Sequence, residues 1–478
     1  MPHHRLAPCT LLLWGVLAVT RVAAQSLPPE VDAELQKARV PRDAITLLVV
    51  DAEAKNAPRL SYRAHVAMNP ASVMKLVTTY AALDLLGPAY VWPTPVFVEG
   101  VVRDGTLYGN LVIKGLGDPK LVVERLWLLL RRVQGLGVKT IGGDIVLDHS
   151  AFVLPASDPA DFDGEPLRPY NASPDALLIN YKSVVMTFVP DRTANTAQVQ
   201  FEPPLAGVAT QSSVALAPGE CGDYRASLRA DFSDPARIRF GGSYPASCLE
   251  KVWPIAYADP RTYANRAVEG MWQEMGGKLG GTVRDGRAAA PAGAVPSPVF
   301  ELSSPTLAEV IRDINKYSNN VMAQQLFLTL SLPARNAPSG AATLEGSRAM
   351  IRQWWQNRIG TADAPVLDNG SGLSRGERIS AQALARLLQT AYGSPLMPEL
   401  MASLSVAGVD GTMRRTRNRA SGSAHLKTGS LRDVVAMAGY VHAASGKRYV
   451  LVAIANHANA NAARPAFDAL LEWAVKDQ

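Results

Sequence analysis

The chain has 478 residues, 47% of them hydrophobic and 19% charged. That is too long for one ordinary core and too apolar for a disordered protein, so two or three packed domains are expected. A net charge of +6, dispersed and without interleaved aromatic residues, excludes a nucleic-acid footprint; the one basic run, Met413-Arg414-Arg415-Thr416-Arg417-Asn418-Arg419, reads as a solvated face. The few histidines have no ligand spacing, so neither a metal nor another cofactor is expected.

In chain order, the first 24 residues stand apart. Arg5 with His3 and His4 gives a positive start, Leu11 to Thr20 is apolar, and Val22-Ala23-Ala24 fits a small-residue cleavage site. This is the pattern of a signal peptide, with the mature chain starting near Gln25. The apolar run is short for a membrane span, so export to the periplasm is expected, with peripheral membrane association left open. Removing Arg5 and Arg21 takes the charge from +6 to +4. Cys9 leaves too, and Cys221 and Cys248 form an expected disulfide in an exported protein.

Ala44 to Asp51 is a strand candidate and Arg59 to Arg63 its hairpin partner. Asn69-Pro70 then turns into Ala71-Ser72-Val73-Met74-Lys75 and an apolar run that stops at Gly87-Pro88, the pattern of a buried helix. Ser72 and Lys75 are three apart and share a face. An ammonium in such surroundings is costly, and burial moves a lysine toward accepting protons. A serine one turn from such a lysine is an activated nucleophile.

Val96 to Lys114 reads as two strands around an Asp104-Gly105 turn. Asp118-Pro119 is expected to open a helix, and Ile141 to Leu147 a strand. Asp259-Pro260, a helix through Trp272, and Gly276 to Val283 echo that unit, so the two are expected to pair. Tyr170 to Tyr257 has short alternating runs that suggest β structure, and the Ala-, Pro- and Gly-rich Arg287 to Pro298 looks like the way out. Ser304-Pro305 is expected to cap a helix leading into Ser318-Asn319-Asn320. Helices are expected near Leu344 to Arg358, over Ser380 to Tyr392 and over Asn461 to Val475. Strands are expected at His425 to Leu431, Val434 to His442 and Arg448 to Asn456, the first carrying Lys427-Thr428-Gly429-Ser430.

Ser-x-x-Lys, Ser-x-Asn and Lys-Thr-Gly in that order form the signature of penicillin-binding proteins and class A β-lactamases. Although 242 residues separate Lys75 from Ser318, the motifs must meet, so the intervening segment is expected to be an insertion. The expected layout is a signal peptide at 1–24, a catalytic domain from 25–90 and 300–478, an inserted α/β domain from 91–169 and 258–299, and an inserted β-rich domain at 170–257.

The chain resembles exported serine D-alanyl-D-alanine carboxypeptidases/endopeptidases, the class C low-molecular-mass penicillin-binding proteins. The resemblance extends to Gly115-Leu116-Gly117-Asp118-Pro119, to Asp368-Asn369-Gly370-Ser371-Gly372-Leu373-Ser374-Arg375 and to His425 through Val434. It implies an α/β fold: a transpeptidase/β-lactamase-like domain, an antiparallel sheet flanked by helices, carrying a two-domain insertion. It further implies that Ser72 attacks the D-Ala-D-Ala carbonyl of peptidoglycan stem peptides, that neutral Lys75 is the base, and that Ser318 returns the proton to the leaving amine. Asn320 would hold Lys75 and a substrate amide. Lys427 would attract the terminal carboxylate beside Thr428, Gly429 and Ser430, and the N–H groups of Ser72 and Ser430 would form the oxyanion hole. Arg375 and an acid near Asp163 or Glu165 are candidates for gripping the peptide side chain. β-Lactams are the implied covalent inhibitors. Two rivals are a class A β-lactamase, disfavoured by the long insertion and by the lack of a Glu-x-x-Leu-Asn motif downstream of Asn320, and a catalytically silent peptidoglycan-binding sensor, disfavoured by intact Ser72, Lys75 and Lys427.

Overall fold

The computed structural model describes residues 26–287, 297–332, 340–416 and 419–477. The expected signal segment, most of the Arg287–Pro298 connection and two residues of the basic run lie outside the described residues. The architecture is mixed α/β, with several sheets of strands and helices packed together.

Near-continuous apolar strands need cover on both faces, and the main sheet has it. Six antiparallel strands run in the order Leu60–Tyr62, Ile45–Asp51, Arg448–Asn456, Val434–His442, Ala424–Leu431 and Ser405–Val406. Alternate residues feed opposite cores, as the two-residue period of a strand requires. Leu48, Ala436, Ala438, Val452 and Ile454 face a layer of helices that includes Lys75–Leu86, Leu307–Tyr317, Asn320–Thr329, Leu344–Arg358 and Ala381–Tyr392. Leu47, Val49, Val435, Leu451 and Ala453 face the helices Pro29–Ala38 and Arg464–Val475. The Lys75–Leu86 helix is buried from Lys75 through Leu83 without a polar face, which suits a helix at the centre of a domain.

The chain leaves this body through Trp92, buried, its indole N–H donating to Thr329 Oγ1 at 2.9 Å. A second sheet begins with the hairpin Pro93–Arg103 and Thr106–Lys114, turning at Asp104 and Gly105, both with positive φ. The two strand–helix–strand units meet here: Lys278–Leu279 pairs in parallel with Thr140–Ile141, and Val283–Asp285 with Ile145–Asp148. Beyond them lie a five-stranded sheet and a three-stranded sheet built from residues 183–256. Cys221 and Cys248 are joined there, with Cα atoms 4.6 Å apart. One apolar cluster runs through both inserted parts, from Leu130 and Ile145 to Phe188, Tyr244 and Trp272.

Several boundaries differ from the sequence reading. Phe300–Ser303 pairs with Pro93–Arg103, so these four residues, placed at the start of the catalytic part by the sequence reading, lie in the second sheet instead. Asp118 does not open a helix: its carboxylate accepts the Lys120 N–H at 2.8 Å, a local turn, and the helix spans Val123–Gly135. The helix after Asp259-Pro260 starts at Tyr263. Thr306, not Ser304, caps Leu307–Tyr317, because Thr306 and Glu309 form a reciprocal capping box. Ser304 Oγ instead accepts the Trp92 N–H at 2.9 Å.

Candidate active site

Ser72 lies in a single 3-10 turn, Ala71–Met74, that feeds the Lys75–Leu86 helix. That turn is held from three sides. Asn69 Oδ1 accepts the Ala71 N–H at 2.8 Å, and Asn69 Nδ2 donates to the Ser374 carbonyl at 2.9 Å. The Asn456 side chain closes a reciprocal pair with the Asn69 backbone, at 2.8 and 2.9 Å. Ala71, just before the nucleophile candidate, has φ +47, a conformation that persists in a non-glycine residue only where its surroundings impose it. Two glycines let neighbouring chains come this close. A Cβ on Gly429 would sit 2.5 Å from the Pro70 carbonyl oxygen and 3.1 Å from the Ser72 nitrogen. One on Gly372, at φ +80, would meet the Ala71 carbonyl oxygen at 2.0 Å. The Gly of Lys-Thr-Gly is therefore required by close approach.

The fully buried Lys75 Nζ lies 2.8 Å from Ser72 Oγ and donates to Asn320 Oδ1 at 2.6 Å and to the Ser371 carbonyl. All three partners are neutral. Burial lowers the Lys75 pKa well below its ordinary value, and the positive charge of Lys427 lowers it further, while Glu377 works in the opposite sense. Lys427, also fully buried, donates to Ser318 Oγ at 3.0 Å and to the Thr428 carbonyl at 2.7 Å. Burial alone pushes its pKa down to about 7. Burial thus works against the positive charge that the sequence reading assigns to it.

Ser318 ends the Leu307–Tyr317 helix in the left-handed region, at φ +59. Asn319 immediately caps the next helix, accepting the Met322 N–H at 3.0 Å. This abrupt helix-to-helix turn lets Ser318 meet Lys427 while Asn320 meets Lys75. Asn320 Nδ2 also donates to the Tyr170 carbonyl at 3.4 Å, which ties the site to the insertion.

The remaining candidates divide. Thr428 Oγ1 donates to Thr412 Oγ1 at 2.7 Å, and exposed Ser430 Oγ accepts from Arg464 at 2.9 Å. Exposed Arg375 donates to Asp433 at 2.8 Å, with its guanidinium 4.8 Å from the centre of the Phe162 ring. Beside it is a cavity of about 300 Å³ lined by Asn69, Arg375, Arg378, Asp433, Asn456 and His457. Glu165 is not brought to the cluster: its carboxylate is exposed and faces Arg168 at 3.4 Å. Asp163 is the acid built into the loop, accepting from Tyr170 at 2.9 Å and Asn171 at 2.7 Å. The sequence reading missed the Asn69–Asn456 clasp, the Ser371 carbonyl, Phe162 and Glu377. Only Glu377 had a local signal, a carboxylate two residues past Arg375 amid residues expected to turn.

The family model for D-Ala-D-Ala carboxypeptidase 3 (S13) matches residues 27–476. The chain belongs to that family. It is a serine-type D-Ala-D-Ala carboxypeptidase by that membership. A D-alanyl-D-alanine carboxypeptidase of Actinomadura sp. is 28% identical over 395 residues, 79% of this chain and 71% of that protein. The D-alanyl-D-alanine carboxypeptidase DacB of Haemophilus influenzae is 25% identical over 410 residues, 83% of this chain and 82% of that one. The crystal structure of penicillin binding protein 4 from Haemophilus influenzae superposes with a TM-score of 0.72 at 22% identity, covering 94% of this chain and 99% of that one, and so has the same fold.

Proposed function

We propose that Ser72 is the nucleophile of this DD-peptidase and Lys75 its base. The observation that carries this is the Lys75 Nζ to Ser72 Oγ contact at 2.8 Å, made by a buried amine with no carboxylate among its hydrogen-bond partners. A neutral Lys75 takes the proton as Ser72 Oγ attacks the carbonyl of the D-Ala-D-Ala bond. The ammonium so formed keeps Asn320 Oδ1 and the Ser371 carbonyl as acceptors. Ser318, between Lys427 and the leaving amine, gives its proton to that amine as the C–N bond breaks and takes in its place the one held by Lys75. Water then attacks the Ser72 ester, giving its proton to the freed Lys75 amine, which returns it to Ser72 Oγ as the ester bond breaks and the shortened peptide leaves.

A substrate carboxylate beside Lys427, Thr428 and Ser430 would favour the charged form of Lys427. Binding would thereby strengthen the positive field that keeps Lys75 deprotonated. The N–H groups of Ser72 and Ser430 are the oxyanion donors in this reading, each worth about 2.7–4 kcal/mol by analogy with measured sites. Arg375, held between Asp433 and Phe162, forms the wall toward the peptide side chain. The substrate is peptidoglycan stem peptide in the periplasm, and β-lactams, which present a strained amide to the same serine, acylate Ser72 covalently.

Intact-mass spectrometry with benzylpenicillin tests this. The protein should gain one adduct, and Ser72→Ala should gain none. An adduct that survives the substitution would sink the assignment. Rapid loss of the adduct with bulk penicillin hydrolysis would favour a β-lactamase, and no adduct at all a silent binding protein.

A further inference from the structure

Glu377 is fully buried two residues beyond Arg375, just before the short strand Ile379–Ser380. Its Oε1 accepts three successive backbone N–H groups, from Asp368 at 3.0 Å, Asn369 at 3.2 Å and Gly370 at 3.3 Å. Its Oε2 is buried with no hydrogen-bond partner among the described residues. The turn gathered on this carboxylate has its other side on the nucleophile helix. Thr78 Oγ1 donates to the Gly370 carbonyl at 2.7 Å, and Lys75 Nζ donates to the next carbonyl, that of Ser371. One acidic side chain thus closes a turn whose two following carbonyls hold the helix that carries Lys75.

We propose that Glu377 is a positioning residue for Lys75: it fixes the turn that offers the Ser371 carbonyl to the amine, and its buried carboxyl is the nearby charge against which Lys75 gains and loses a proton. This rests on Lys75 acting as the base for Ser72. A buried carboxylate with three N–H donors and no cation in direct contact is costly to ionise. Burial outweighs those donors and raises its pKa to about 7, with Asp368 adding repulsion.

Asp368 is paired with Arg348 at 2.9 Å, and Arg378 donates to the Glu377 carbonyl at 2.7 Å. On the nucleophile side the Glu377 charge acts on Lys75 in the sense opposite to that of Lys427. An ionised Glu377 favours the ammonium of Lys75, and a neutral Glu377 favours the free amine. The amine is the reactive form, so the carboxyl sets the lower pH limit at which Ser72 is acylated. A purely structural clamp would set only the rate.

The test compares second-order acylation by benzylpenicillin from about pH 5 to pH 9 in the wild type, Glu377→Gln and Glu377→Asp. Glutamine keeps an acceptor for the three N–H groups and removes the charge. Its acid limb should move to lower pH by about half a unit to one unit, the size of one shielded charge a short distance away. Aspartate keeps the charge on a shorter stem, so its limb should stay with the wild type while its plateau rate falls. An acid limb unmoved in Glu377→Gln would overturn the proposal. If that variant does not fold, infrared difference spectra of the wild type decide. A buried carboxylic acid band titrating near neutrality should shift on acylation of Ser72, and a band indifferent to acylation would overturn the proposal. A wild type that is never acylated would instead refute Lys75 and Ser72 themselves, and this proposal with them.

Discussion

The helix Asn320–Thr329 touches two buried polar clusters, and they are built on opposite rules. At its first residue, Asn320 faces Lys75, whose three hydrogen-bond partners are all neutral. A turn and a half later, Gln325 clasps the backbone of Asp175 in the insertion, at 2.9 and 2.8 Å. Asp175 is fully compensated. Lys182 lies 2.9 Å from its carboxylate, His149 bonds the other oxygen at 2.5 Å, and His149 also faces Asp285 at 3.6 Å. Burial opposes ionisation of Asp175, yet Lys182 and His149 together hold its pKa well below the usual carboxylate range. Burial likewise opposes the imidazolium of His149, and the Asp175 hydrogen bond and charge outweigh it, so its pKa is raised. Lys316, two residues before Ser318, follows the same rule as Asp175, donating to Asp410 at 2.6 Å. Where charges are paired the fold has a joint; where Lys75 is left among neutral oxygens, we read a base.

The largest effect should come from giving the unpaired site a cation that cannot lose its proton. Arginine stays charged at every accessible pH. Lys75→Arg should therefore lower Ser72 acylation at least about 10³-fold, toward the upper end for loss of a general base, with no recovery up to pH 9. The check is the rate of adduct formation by mass spectrometry. Recovery of acylation at high pH would show that another group takes the proton.

The paired cluster should break differently. Asp175→Asn leaves Lys182 and His149 facing a neutral amide and should cost about 3–5 kcal/mol in unfolding free energy, measured by urea denaturation. The signs follow from the shifts. The lowered Asp175 contributes stability above its unfolded pKa of about 3.9, lost as pH falls through the folded value. The raised His149 contributes fully below about 6.5, lost as pH rises through its folded value. The difference between wild type and variant should thus be largest near pH 5 to 6 and shrink toward pH 8. Acylation of Ser72 should stay within about tenfold of the wild type, a spread of about 1.4 kcal/mol, because Gln325 binds only the Asp175 backbone. A stability difference that does not vary with pH would mean that the joint is held by packing instead.

How far this contrast could be read in advance follows from which interactions are local. Ser72 and Lys75 are one turn apart on an apolar helix, so their meeting is written in spacing. The strands Val434–His442 and Arg448–Asn456 carry their own apolar runs and turn signals and fall at the expected bounds. Helix starts drifted where competing caps stood side by side: Asp118 spent its carboxylate on a turn, and Ser304 lost to the reciprocal Thr306–Glu309 pair. What the chain did not advertise is the set of contacts made by ordinary polar residues hundreds of positions apart. Asn69 meets Asn456 across 387 residues, and Lys75 meets the Ser371 carbonyl across 296. A carbonyl has no sequence signature, and an asparagine has too many uses for its type to name one. Composition likewise cannot tell which of two neighbouring acids is used in the loop: Asp163 accepts from Tyr170 and Asn171, while Glu165 faces Arg168.

The smallest of these effects should separate the two buried lysines from one another. Lys427 sits between Ser318 Oγ and the Thr428 carbonyl, and only burial depresses its pKa, to about 7. If its task is charge, arginine should preserve the function in kind while fitting the space badly: a planar guanidinium replaces a compact ammonium at a fully buried position. Lys427→Arg should slow acylation by about 10- to 100-fold, about 1.4–2.7 kcal/mol of transition-state stabilisation. Its pH dependence should also change in a definite direction. Below about pH 7 the native Lys427 is charged as well, so the acid limb should stay with the wild type, and the two should part only above it, where arginine keeps a charge that lysine loses. Acylation rates from about pH 6 to pH 9 measure both quantities at once. If Lys427→Arg is as inert as Lys75→Arg, or its acid limb moves upward, the two lysines share one task and the division drawn between them is wrong.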